Sequence, residues 1–496
     1  MARRRDDIYR QRVEKLRRLR ARGPDPYPAR YKRSHSAAEA AAAFEGWEQA
    51  GRRGPVPEVR VAGRITALRD MGGSVFFDLR DGSGKVQAYL RRNRLGDAVF
   101  EGLRDLDLGD FLGVAGTLFR TRAGEVTVEA AEYTVLAKAL LAPPAKWHGL
   151  ADIETRYRQR YLDLMANEEV RDIFLLRSRV ISAIRRFLDG RGFLEVETPI
   201  LQPEAGGAAA RPFVTRYEAL DRDFYLRIAT ELHLKRLIVG GVDRVYELSK
   251  AFRNEGLSAR HQPEFTLLET YEAYADYNDV AAMVEEMVAF VAREVLGATR
   301  VPCGEAEADL SPPWKRLTVR DALRQHARLD LEKCWEEPAL RAALDERGVQ
   351  AAPSAGWAKL LDEALSTLVE PKLIQPTFLM DYPAALSPLA KRKPDDPRFV
   401  ERFEPFVGGV ELGNAYSELN DPLEQRERFV EQARRRAAGD TEAEVVDEDF
   451  LVALEHGMPP TGGLGIGVDR LVMVLTGQRS IRQVILFPQL RAKDAE

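Results

Sequence analysis

Apolar and polar positions alternate in short bursts over residues 57–137. The runs 59–65 and 75–81 read as strands, as does 85–90 after the turn Asp81-Gly82-Ser83-Gly84. Two more follow at 110–119 and 125–135, with a helix-like segment at 98–105 before them. Five short strands with one helical interruption predict a small closed barrel of OB type, with a β-sandwich as the alternative the pattern leaves open. Upstream, residues 1–50 read as a charged helix, a proline-marked break from Gly23 to Pro28, and an alanine-rich run over 37–43. Downstream, beyond Leu141-Ala142-Pro143-Pro144, the period lengthens to three and four. Ile173, Leu176, Val180, Ile184 and Phe187 share one helical face, which stops at Gly190 and Gly192. A strand over 193–198 then ends at Pro199, and 279–296 is a second amphipathic helix carrying Val280, Met283, Val284, Met287, Val288 and Val291. Strands and helices mix here without strict alternation, which predicts an α+β domain on an antiparallel sheet. The expected division is a basic helical extension over 1–56, a barrel over 57–140, a linker over 141–160 and a larger domain over 161–496. A helical insertion is expected at about 315–370.

A chain of 496 residues has length for two or three domains with ample cores. Its formal net charge of −4 carries no sign of nucleic-acid binding in bulk. The distribution is less neutral. Arg3, Arg4, Arg5, Arg10, Arg12, Lys15, Arg17, Arg18 and Arg20 face only Asp6, Asp7 and Glu14 at the start of the chain. Such an arm either adds phosphate attraction or is simply a solvated helix. The opening charges lead into no apolar core of a signal peptide, and no run of eighteen apolar residues occurs, so a cytoplasmic protein without a membrane span is expected. Cys303 and Cys334 stand alone, which argues against a structural zinc or a disulfide framework.

The chemistry concentrates in two distant stretches. Phe252-Arg253-Asn254-Glu255-Gly256 leads into Arg260-His261-Gln262-Pro263-Glu264-Phe265, and Gly463-Leu464-Gly465-Ile466-Gly467-Val468-Asp469-Arg470-Leu471 comes much later. Neither is a P-loop, and Arg470 stands where a dinucleotide fingerprint needs its third glycine. Together they supply arginines, an aromatic face, a glycine-lined backbone and nearby acids, the groups needed to hold a triphosphate beside a small zwitterion.

These stretches, with the helix and strand leading to Pro199, resemble the three signature motifs of class II aminoacyl-tRNA synthetases. An N-terminal OB domain narrows the resemblance to the lysine, aspartate and asparagine group. Arg156 to Leu164, Leu267-Leu268-Glu269-Thr270-Tyr271, Ser387-Pro388-Leu389-Ala390-Lys391 and Gly413 to Asp421 resemble the lysyl branch of bacterial type. The resemblance covers about residues 57 to 491. It implies activation of L-lysine by ATP to lysyl-adenylate, then transfer to the 3′ end of tRNA(Lys), by a homodimer using Mg²⁺, up to three ions with ATP. It also implies roles. Arg253 bridges the substrate carboxylate and the α-phosphate, a task for a planar fork of donors. Arg260 and His261 lie over the β- and γ-phosphates. Arg470 and Phe265 sandwich the adenine, Glu255 accepts from it, and Glu404 and Glu411 hold Mg²⁺. Glu269 and Glu418 face the ε-ammonium, Glu231 the α-ammonium, and Tyr271, Asn414 and Tyr416 line the alkyl channel. In the barrel, Phe76 stacks an anticodon base, Gln87 and Glu125 read base edges, and Arg64 and Arg69 hold phosphates.

The pattern is departed from at four places. Thr230 stands where proline is expected, Gln262 replaces asparagine, and Ala415 and Tyr416 replace glycine and phenylalanine. Three alternatives stay open: an aspartyl or asparaginyl enzyme, a paralogue attaching lysine to a protein, and an RNA-binding module with an inactive synthetase domain. The acids at 269 and 418 argue against the first, the barrel against the second, and Arg253, Glu411 and Arg470 against the third.

Overall fold

The computed structural model describes residues 2–144, 150, 152–204, 206–208, 210–353, 355–437 and 445–491, so part of the expected linker 141–160 lies outside the described residues. The chain divides into two compact units, Met1–Ala151 and Asp152–Glu496.

In the first unit, β1 (Glu58–Asp70), β2 (Ser74–Arg80), β3 (Lys85–Arg91), β4 (Phe111–Arg120) and β5 (Val126–Ala137) close into a barrel in the order β1-β2-β3-β5-β4. Alternation does the sorting: Val75, Phe77 and Leu79 are buried while Phe76 between them is only partly so. β1 is long enough to pair with both β2 and β4, and bends at an irregularity between Ile65 and Ala67. Short helical turns over 92–105 lie between β3 and β4 and bury Phe100 and Leu103 against the barrel core. The basic helix α1 (Ala2–Ala21) packs onto this barrel. Arg12 donates to the carbonyls of Ala139, Leu141 and Leu108, Lys15 lies 2.6 Å from Asp107, and Arg18 lies 2.7 Å from Asp105. These three cations of the arm hold the protein to itself. Arg10 and Arg20 remain exposed.

The second unit is built on a nine-stranded sheet. Its order is Lys315–Thr318, Thr377–Met380, Arg402–Val407, Gly413–Ser417, Thr461–Gly467, Glu264–Ala273, Arg244–Phe252 and Leu194–Glu195, with Val410–Glu411 pairing off Arg402–Val407. The middle is antiparallel, as the sequence predicts, but the outermost pair at each end is parallel. Parallel neighbours need a crossover, and helical segments between residues 319 and 372 form the one joining Lys315–Thr318 to Thr377–Met380. The helices Glu168–Asp189, Tyr277–Leu296 and Val468–Thr476 pack with one face of the sheet, burying Leu268, Phe403, Ala415, Leu464 and Ile466. Alternation turns the intervening residues to the other face, where the cavity lies.

The segment ending at Pro199 is fastened to that sheet by a buried pair. Arg227 Nη1 lies 2.5 Å from Glu247 Oε1 and donates to the Thr198 carbonyl at 3.0 Å, while Glu247 Oε2 accepts from the Thr198 amide and hydroxyl.

Candidate active site

Four strands carry cavity-facing residues at every second position. Glu264–Ala273 presents Phe265, Leu267, Glu269 and Tyr271; Gly413–Ser417 presents Asn414 and Tyr416; Arg402–Val407 presents Arg402 and Glu404. Thr461–Gly467 presents Gly463, Gly465 and Gly467, so this floor is bare backbone. Register sets Glu269, Gly465 and Asn414 in one row and Tyr271, Gly463 and Tyr416 in the next. The enclosed space is about 400 Å³. Every catalytic, ATP-, lysine- and metal-binding residue anticipated from the sequence lines it: Arg253, Glu255, Arg260, His261, Phe265, Glu404, Glu411 and Arg470 with Glu231, Glu269, Tyr271, Asn414, Tyr416 and Glu418.

One half of the cavity is cationic. Arg253 follows the strand Arg244–Phe252; its amide bonds the Pro263 carbonyl at 2.9 Å and its guanidinium lies 5.2 Å from the Phe265 ring. The amides of Arg260 and His261 both donate to Ser258 Oγ, which shapes the loop between them. Arg470 is delivered by the helix Val468–Thr476. Buried Asp469 anchors that helix by accepting from Arg177 at 2.5 Å and from the Thr266 amide at 2.7 Å. Arg470 itself lies 2.9 Å from Glu411 Oε2 and 3.3 Å from His261 Nε2. Burial first, then the Arg470 charge, lowers the His261 pKa and favours a neutral ring. The cation over Phe265 is Arg253, while Arg470 pairs with Glu411.

Glu404 is held by Tyr382, whose hydroxyl donates at 2.6 Å, and by Arg402 at 2.7 Å. Burial pushes its carboxyl up, Arg402 opposes this, and Glu411 adds to the rise. Two carboxylates that repel one another across neighbouring strands form a hard-oxygen donor set. That set suits Mg²⁺, which Glu404 and Glu411 would hold and which would neutralise charge on a bound phosphate. Among the described residues no group of three His, Cys, Asp or Glu side chains is placed to hold a metal.

The other end is acidic. Glu231, Glu269 and Glu418 are all buried, and Lys235 Nζ contacts both Glu231 Oε1, at 2.5 Å, and Glu418 Oε2. Burial alone would lower the Lys235 pKa; the two carboxylates outweigh it and raise it, so the ammonium stays charged. Glu269 has no ion pair among the described residues. Burial, then the Glu231 charge, pushes its carboxyl up to about 7.

In the barrel unit, Phe76 stacks on its cross-strand partner Tyr89 with ring centres 4.3 Å apart. Gln87 donates to Glu125 at 2.6 Å, and Glu125 also meets Lys85. Arg64 is tied to the Gly109 carbonyl and lies over the Phe111 ring, and Arg69 pairs with Asp78, so both arginines already have partners within the barrel.

Lys235 and Arg402 were missed by sequence reasoning. Lys235 stands four residues after Glu231 on one helix, a spacing that signals a pair but reads equally as a solvated face. Arg402 stands two before Glu404 on one strand, which places both on the same side.

Residues 152–491 match the family model for class II tRNA synthetases (D, K and N), and residues 59–136 match that for the OB-fold nucleic acid binding domain. A lysine–tRNA ligase of Dehalococcoides mccartyi is 56% identical over 486 residues, covering 98% of this chain and 97% of the other. Lysine–tRNA ligases of Moorella thermoacetica and Chloroflexus aurantiacus are each 52% identical, each alignment covering 99% of both chains.

The bare floor gives a stability prediction. A Cβ at Gly463 would fall inside the van der Waals shell of the Glu418 carboxylate and 2.7 Å from Tyr271 Cε1. Gly463→Ala is expected to destabilise the fold by ~1–3 kcal/mol through overpacking, read as a lower midpoint in thermal unfolding. An unchanged midpoint would contradict the close approach.

Proposed function

The chain belongs to the class II tRNA synthetases for aspartate, lysine and asparagine, and within them to the lysine–tRNA ligases. From that premise we propose that it activates L-lysine with ATP and passes the lysyl group to the 3′ end of tRNA(Lys). The observation that carries the choice of lysine is the charge balance at the acidic end. With its carboxylates ionised, the set Glu231, Glu269 and Glu418 exceeds its resident cation Lys235 by two charges, which the two ammonium groups of lysine complement. Aspartate would bring a second carboxylate into the same space and be repelled, since an unpaired buried charge is heavily penalised.

Activation is an in-line attack of the lysine carboxylate on the α-phosphorus, with pyrophosphate leaving; positioning and charge neutralisation do most of the work. Arg253 bridges the attacking carboxylate and the α-phosphate, and Arg260 and His261 meet the β- and γ-phosphates. Arg470 and Phe265 take the adenine, and Glu255 accepts from it. Glu404 and Glu411 would hold Mg²⁺, up to three ions with ATP, which would neutralise the phosphate charge. Glu231 receives the α-ammonium. Glu269, which has no ion pair among the described residues, receives the ε-ammonium beside Glu418, with Tyr271, Asn414 and Tyr416 along the alkyl chain. The barrel then binds the anticodon, with Phe76 as the stacking platform and Gln87 and Glu125 at the base edges.

We further place the enzyme in the cytoplasm as a homodimer. Exposed Leu201, Val214, Tyr217 and Leu220, around the small sheet that follows Pro199, offer the apolar face a partner subunit would cover. No helix among the described residues is long and apolar enough to cross a membrane.

Glu269→Gln is expected to cut kcat/KM for lysine in ATP–pyrophosphate exchange roughly 10- to 150-fold, or about 1.5–3 kcal/mol, with the KM for ATP nearly unmoved. An unchanged lysine dependence would remove Glu269 from the pocket. Because the carboxyl must be ionised to hold an ammonium, kcat/KM for lysine in the wild type falls as pH drops through about 7. A profile flat through that range would contradict this. Phe76→Ala is expected to weaken tRNA charging by ~1–3 kcal/mol while leaving tRNA-free exchange intact. Equal losses in both assays would make Phe76 a core residue.

A further inference from the structure

Two of the places where this chain departs from the motif pattern it resembles meet pocket carboxylates. Thr230 Oγ1 donates to Glu269 Oε2 at 2.7 Å, and the Thr230 backbone N–H donates to the same carboxylate. A proline there would supply neither donor. Thr230 is also the N-cap residue of the helix Glu231–Val239, where a hydroxyl ordinarily accepts from the first turn; here it makes no such bond and turns to Glu269 instead. Across the pocket, the Tyr416 hydroxyl lies 2.8 Å from Glu231 Oε1 and 2.7 Å from Oε2, a contact no phenylalanine can make.

We propose that Thr230 and Tyr416 are positioning residues for lysine, a pair of hydroxyl donors that clamp Glu269 and Glu231 in the orientation that receives the substrate's ammonium groups. The proposal rests on the reading of Glu269 and Glu231 as lysine ligands. Its physical basis is the environment of Glu269. That carboxylate faces the like charges of Glu231 and Glu418, the more distant guanidinium of Arg253 and the Tyr271 hydroxyl at 3.4 Å. Burial and the neighbouring acids favour its proton, while the two donors of Thr230 favour the ionised form and fix its rotamer. Glu231 needs less help, because Lys235 already lies 2.5 Å away; the Tyr416 hydroxyl adds direction to a carboxylate whose charge is met.

Thr230→Val keeps the branched shape and removes the hydroxyl. In ATP–pyrophosphate exchange by the full chain it is expected to raise the KM for lysine about tenfold, the scale of one hydrogen bond to a buried charge. The acid limb of kcat/KM should move to higher pH, and the KM for ATP should stay in place. Thr230→Ser retains the hydroxyl and should behave as wild type in all three readouts. Tyr416→Phe is expected to raise the KM for lysine by a smaller factor, about threefold, with little movement of the acid limb because Lys235 remains. A merely structural role would shift the ATP and lysine constants together and leave the limb alone. Lysine constants and limb unchanged in Thr230→Val and Tyr416→Phe, while Glu269→Gln loses lysine dependence, would overturn the clamp. So would Thr230→Ser matching Thr230→Val. If Glu269→Gln itself leaves lysine kinetics untouched, the underlying pocket assignment fails instead.

Discussion

Carboxylates buried side by side repel one another and favour their protons unless cations meet them. Glu231, Glu269 and Glu418 stand in that position, and among the described residues only the Lys235 ammonium pairs with any of them. Much of the site is arranged around this imbalance. Lys235 bridges Glu231 and Glu418, hydroxyls of Thr230 and Tyr416 orient Glu269 and Glu231, and the remaining negative charge is available to a dicationic side of a substrate. The opposite half of the cavity gathers Arg253, Arg260 and Arg470, the last paired with Glu411. A zwitterion with an extra ammonium, lying beside a triphosphate, satisfies both halves at once.

The sheet makes that arrangement possible through its two-residue period. One set of positions buries Leu268, Ala415, Leu464 and Ile466 against helices; the alternate set places the charged residues and three glycines in the cavity. Gly463 is part of the same electrostatic design, because a side chain there would displace Glu418 from Lys235 and Tyr271 from its row.

Much of this was legible in the chain. The barrel strands announced themselves by alternation, and their interruption over 98–105 reappears as the helical turns between β3 and β4. Most of the site residues were carried by recognisable motifs, while Glu231, Glu404 and Glu411 stand outside the quoted stretches. What was not legible depended on tertiary partners. The direction of the edge strands is set by crossovers, which period alone does not encode. Lys235 reads as a helix-surface lysine until burial against Glu418, a residue far away in sequence, gives it another meaning. The basic arm read equally as phosphate-attracting or as a solvated helix, and its partners show that Arg12, Lys15 and Arg18 meet carbonyls and acids of their own barrel. Thr230 and Tyr416 could be seen as departures, but only their distances to Glu269 and Glu231 show what the hydroxyls touch.

The claim on which the account turns is that the acidic end of the cavity selects a dicationic amino acid. The most direct measurement is ATP–pyrophosphate exchange by the full chain without tRNA, run separately with each proteinogenic amino acid at saturating ATP. Exchange with lysine alone is the result the account predicts. Exchange supported by aspartate or asparagine, or by no amino acid at all, would contradict it.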